Sequence, residues 1–121
     1  MSGSWIKKDK RLAIYLRDGA TCCYCGCAVQ IGAHVSEPGA ATLDHLRPRE
    51  RGGDNSHTNL VTSCVGCNSS KQDSTMADWL KALASRGIDA AEVRKEISRR
   101  KARKLDPYRK SAKAILAGDL D

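Results

Sequence analysis

At 121 residues, with 29% charged residues and a formal net charge of +7, the chain is sized for one compact domain. No apolar run approaches the roughly 20 residues needed to cross a bilayer, so membrane insertion is not expected. Its core should be thin, because there is no Phe, aromatics make up 4% and the 40% hydrophobic content includes six Cys; small domains of this kind generally need a staple.

Leu12, Tyr15 and Leu16 recur at helical spacing ahead of Gly19, which predicts an amphipathic helix over residues 8–17 stopped by that glycine. Residues 31–41 contain Gly32, Pro38 and Gly39 and read as a loop, followed by a short strand over residues 41–46. A polar loop over residues 47–57 turns at Pro48 and Gly52-Gly53. A second strand over residues 59–63 then leads into a helix that begins near Cys67 or Asn68. Met76, Trp79, Leu80 and Leu83 form one apolar helical face, with Ser74 or Thr75 as cap and Gly87 as stop. Asp89 is the next N-cap, with Glu92 at the capping-box position and Val93 placed to staple against Ile88. That helix is expected to stop at Leu105, because Pro107 disfavours helix at Asp106, which instead caps a last helix over residues 107–117.

The excess positive charge is concentrated late in the chain, in Arg94, Lys95, Arg99, Arg100, Lys101, Arg103, Lys104, Arg109 and Lys110, offset only by Glu96 and Asp106. Such a stretch attracts a polyanion such as nucleic acid through its phosphates, by counterion release and steering. A solvated helix face that binds nothing is the plainer alternative.

Cys22 and Cys25, and Cys64 and Cys67, form two CxxC pairs. Two residues between cysteines let both thiolates turn onto one ion, and two pairs complete a tetrahedral four-sulfur zinc site with no open position. A site of that kind is structural, and its binding energy is folding energy. Cys23 and Cys27 are either small buried side chains or substitutes for Cys22 and Cys25; the repeated spacing favours Cys22 and Cys25. A disulfide framework is the alternative use of six cysteines. Lys7, Lys8, Asp9, Lys10 and Arg11 without a following apolar run give no secretory signal, so a reducing cytoplasm is expected.

Asp44 and His45 lie in the long insert between the pairs, and Asn68 follows the second pair at once. A neutral imidazole, with a pKa of about 6.5, can take a proton from water near neutral pH. Asp44 and Asn68 offer hard oxygens suited to Mg²⁺ or Mn²⁺. Adjacent strand residues face opposite ways, so either Asp44 or His45 must be redirected, or must reach the site around its edge.

The segment from Thr21 to Lys71, with TCCYCG, TLDHLRPRERGGDNSHTNLVTSC and CVGCNSSK, resembles the HNH endonucleases, in a variant with Asn at the last motif position; a similar order of CxxC, DH and CxxCN occurs in recombination endonuclease VII. The resemblance implies an α+β architecture: a small ββα-metal core over residues 1–73, with N-terminal helix and zinc knuckles, and a helical extension over residues 74–121 packed on it. It also implies hydrolysis of DNA phosphodiester bonds, leaving 5′-phosphate and 3′-hydroxyl ends. His45 would be the general base, Asn59 would orient it or brace the loop, and Asp44 with Asn68 would hold the catalytic ion. Few carboxylates surround Asp44, which argues for one ion. Arg47, Arg49, Arg51 and Lys71, together with Arg99, Arg100 and Arg103, are the candidate DNA contacts. Asn55 and His57 lie in the loop, where they could reach the metal or substrate, with a surface role favoured. A non-catalytic zinc-stabilised DNA-binding module and a junction resolvase are the rival readings. The expected setting is a bacterial or phage-encoded cytoplasmic protein, monomer or homodimer.

Overall fold

A computed structural model describes residues 6–118; the outer limits expected for the two segments, residues 1 and 121, lie outside that span. The architecture is α+β, with five helices and one two-stranded antiparallel sheet among the described residues. Helix α1 spans Lys8–Arg17, as its apolar spacing predicts, and the chain turns at Gly19, where φ is 65°. Strand β1 (Ala41–His45) pairs with β2 (Leu60–Cys64), placing Asp44 opposite Val61 and His45 opposite Leu60. Between them the chain makes two short 3-10 turns, Arg49–Arg51 and His57–Asn59.

Helix α2 (Val65–Lys71) follows β2 without a loop, earlier than the expected start at Cys67 or Asn68. The reason is local chemistry: Cys64 is the N-cap, and its Sγ accepts the Cys67 N–H at 3.4 Å. Strand, strand and helix thus form one ββα unit. Helices α3 (Met76–Ser85), α4 (Ala90–Ala102) and α5 (Asp106–Leu116) complete the chain.

Thr75 caps α3, its hydroxyl oxygen accepting the Asp78 N–H, and Asp89 caps α4, its carboxylate accepting the Ala91 and Glu92 N–H groups. Glu92 points out to Lys95 at 3.4 Å instead of closing a capping box. Helix α4 ends at Ala102, before the expected Leu105, with Arg103 extended. Leu105 is then the N-cap of α5, in helical conformation and without a side-chain cap, and Asp106 is the first helical residue. Burial decides this: Leu105 packs with Ile14, Leu43 and Leu60, while Asp106 still sits favourably in the first turn against the helix dipole.

The core has two parts. Trp79, Leu80 and Leu83 of α3 and Val93 of α4 pack on Cys22, Tyr24 and Val61, so the late helices cover the cysteine region. Ile14 and Tyr15 of α1 pack on Leu60, Leu105 and Ala112, joining α1 to α5 behind the sheet. Among the described residues no helix is long and apolar enough to cross a membrane.

Candidate active site and metal centre

The Sγ atoms of Cys22, Cys25, Cys64 and Cys67 all lie within 4.8 Å of one another. Four sulfurs bound tetrahedrally at about 2.3 Å would stand roughly 3.8 Å apart, so the cluster fits a single zinc-sized ion. Backbone N–H groups of Tyr24 and Cys67 point at Cys22 Sγ and Cys64 Sγ, each at 3.4 Å, and stabilise thiolates there. The hydrogen bond with Cys67 draws the Cys22 thiol down to about 4 against its burial. Geometry therefore selects Cys22 and Cys25 over their neighbours. Cys23 is buried in the core, where burial pushes its thiol up to about 12, and Cys27 is exposed with its sulfur 3.3 Å from Cys25.

Asp44, His45 and Asn68 border one cavity of about 150 Å³, together with Arg49, Glu50 and Gln72. Asp44 is buried, with Oδ2 accepting the Tyr24 hydroxyl and lying 3.3 Å from Lys71 Nζ. Burial raises its carboxyl pKa, opposed by Lys71 and Tyr24. His45 closes β1 and is half-buried, so Asp44 reaches the cavity from beneath and His45 from its rim. Asn68 projects from α2, and its amide nitrogen donates to Thr42 Oγ1 at 3.0 Å and to the Leu43 carbonyl at 3.1 Å. That fixes the amide, so Oδ1 is the Asn68 atom that could meet a cation. Beyond the four cysteines, no three His, Cys, Asp or Glu cluster among the described residues. Two oxygen donors on one cavity suit an ion that keeps most of its waters, as Mg²⁺ and Mn²⁺ do.

The loop from Leu46 to Asn59 orients the imidazole. His45 Nε2 is 2.8 Å from Asn55 Oδ1, which also accepts Arg49 Nη1 at 3.3 Å. An oxygen acceptor there requires the proton on Nε2 and leaves the Nδ1 lone pair for a water. Asn55, for which the sequence favours a surface role over a reach into the site, is thus the imidazole's partner. His57 is half-buried, with Nδ1 lacking a hydrogen-bond partner and its carbonyl accepting Arg17 Nη1 at 2.8 Å. Asn59 clips the loop: Oδ1 accepts Arg47 N–H at 2.8 Å, while Nδ2 donates to the Arg47 carbonyl at 3.1 Å and to the Asp54 carbonyl at 2.8 Å.

The candidate DNA contacts separate into two groups. Arg47, Arg49 and Arg51 are exposed on the loop; Arg49 lines the cavity, while Arg47 and Arg51 donate through Nε to the Arg51 and Asp73 carbonyls, each at 2.7 Å. Lys71, in contrast, is fully buried, with Nζ on the His45 carbonyl at 2.9 Å and on Asp44, so it braces the site from below and cannot meet a phosphate. Arg100 is likewise only 3% exposed: it donates to the Thr21 carbonyl and hydroxyl, both at 2.7 Å, and to Glu96 at 2.6 Å. Expecting either at a DNA surface is corrected by that burial. Arg99 is held by Glu96 at 2.6 Å, and Arg103 donates to the Arg17 carbonyl at 2.8 Å. Nothing local marks Tyr24 as the partner of Asp44, because the contact forms only when the first cysteine pair folds against β1.

Residues 22–74 match the HNH endonuclease family. Over 78 residues the chain is 31% identical to the CRISPR-associated endonuclease Cas9 of Corynebacterium diphtheriae, an alignment covering 64% of this chain and 6% of that protein. Over 82 residues it is 36% identical to the CRISPR-associated endonuclease Cas9 of Actinomyces naeslundii, covering 67% of this chain and 6% of the relative. The chain therefore spans a small fraction of the length of these relatives.

Proposed function

We propose, from the match of residues 22–74 to the HNH endonuclease family, that this chain hydrolyses phosphodiester bonds in DNA, with His45 as general base. The observation that carries this reading is the imidazole itself: Asn55 holds it through Nε2, and it borders the same cavity as Asp44 and Asn68. In that tautomer Nδ1 accepts a proton from a water as the water attacks phosphorus. Asp44 and Asn68 would hold one divalent ion, which supplies charge neutralisation at the phosphate and at the leaving 3′ oxygen. Arg47, Arg49 and Arg51 position the strand by its phosphates, and cleavage leaves 5′-phosphate and 3′-hydroxyl ends. Cys22, Cys25, Cys64 and Cys67 hold structural zinc. Endonuclease action in the two relatives supports the reading for the segment they share.

Supercoiled plasmid incubated with purified protein and Mg²⁺ or Mn²⁺ tests it. Nicking or linearisation is expected with an added ion and none with chelator, and ligation of the products without kinase reports the 5′-phosphate. Protein that binds DNA but never cuts it with any divalent ion is a zinc-stabilised binding module instead.

A further inference from the structure

His45 faces the catalytic cavity, but the next two residues, Leu46 and Arg47, line a different one of about 490 Å³. Its far wall is a single face of α4, since Arg94, Ile97, Ser98 and Lys101 are spaced three, four and seven residues apart. Met76 adds to its apolar floor, and no carboxylate lines it. The acids of α4 are committed elsewhere: Glu92 pairs with Lys95, and Glu96 pairs with Arg99 and Arg100. Arg94 and Lys101 have no hydrogen-bond or ion-pair partner among the described residues. Three cations thus ring a floor of Leu46, Met76 and Ile97. The cleft is also tied to the catalytic loop, because Leu46 N–H donates to the Asn59 carbonyl at 2.8 Å.

We propose that this cleft holds one unpaired nucleotide of the DNA strand being cut. Its phosphate lies among Arg47, Arg94 and Lys101, and its base rests on Leu46, Met76 and Ile97. Charge calls for phosphate, and the apolar floor calls for a base face that a duplex keeps stacked inside. The volume is that of a small-ligand site. The substrate assignment rests on the nuclease reading above, but binding to the cleft does not require cleavage.

The test is fluorescence anisotropy with a labelled single-stranded oligonucleotide of about 15 nucleotides, a length that spans one such site, with no divalent ion added. Arg94→Gln/Lys101→Gln is compared with Lys110→Gln/Lys113→Gln, which removes equal charge from α5. The cleft pair is expected to weaken binding about ten-fold more than the control pair. Its slope of log K against log salt should be shallower by about 0.7, the value for one lost phosphate contact on a single strand. The parent should also bind a fully abasic strand of equal charge at least about five-fold more weakly. Equal losses in the two pairs, or equal binding of abasic and normal strands, overturn the proposal. A parent that never cleaves overturns the nuclease reading and leaves this binding comparison readable.

Discussion

The imidazole of His45 and the carboxamide of Asn55 face each other at 2.8 Å, and in the proposed mechanism this pair sets the tautomer in which the imidazole meets a water. His45→Ala should lower plasmid cleavage by roughly 10²–10⁴-fold, the usual worth of a positioned base, while melting temperature and zinc content hold. Asn55→Ala should leave DNA affinity unchanged and lower the cleavage rate by about 10–100-fold, because the ring is then free to rotate. Measuring binding and single-turnover cleavage on each variant separates the two roles. At this scale the paired cysteines are legible, since their spacing along the chain is itself the chemical signal. Tyr24 and Lys71 were not legible as partners of Asp44, because each reaches it from a separate element and no local pattern records the meeting.

The loop between β1 and β2 is rigid because Asn59 bonds both main-chain groups of Arg47, and Gly53 lies directly against that residue. A Cβ on Gly53 would sit 1.7 Å from the Arg47 carbonyl oxygen, so the backbone must move to admit any side chain. Gly53→Ala should therefore destabilise the protein by about 1–3 kcal/mol in urea unfolding, and should reduce cleavage further by shifting Asn55 away from His45. Parent-like stability in this variant would show that the loop yields without cost. Helix caps at Thr75 and Asp89 were readable, because a cap and its partners are three residues apart or fewer. Helices α2 and α5 start one to three residues before the positions their sequence predicts, since a thiol caps one and burial of Leu105 places the other.

For the molecule as a whole, stability rests on the cysteine cluster and on buried charge. Removing zinc with a strong chelator should abolish the cooperative thermal transition, because the two cysteine pairs join α2 to the chain after α1. Asp18 is buried between Arg17 at 2.7 Å and Arg100 at 3.7 Å, and it also accepts the Thr62 N–H at 2.8 Å. Arg100→Ala should cost roughly 3–5 kcal/mol in urea unfolding, as expected for breaking a buried pair, with the salt slope of DNA binding unchanged. Between α1 and α5, a hydrogen bond from Arg109 at 2.7 Å holds the Asp9 carboxyl below its ordinary 3.8. The folded value is the lower one, so this contact adds stability above pH 3.8 and loses it as pH falls through the lowered value. Melting curves of Asp9→Asn and the parent should therefore differ near neutral pH and converge in acid.

The spacing of the two CxxC pairs determined the four-sulfur cluster from the amino-acid order alone, because each thiolate pair carries its chemistry within four residues. Which cations stay at the surface was decided only by tertiary packing. Lys71 and Arg100 look like phosphate ligands along the chain, yet burial turned each toward a carboxylate and a carbonyl. A charged group that loses water must find fixed partners, and those partners come from distant segments.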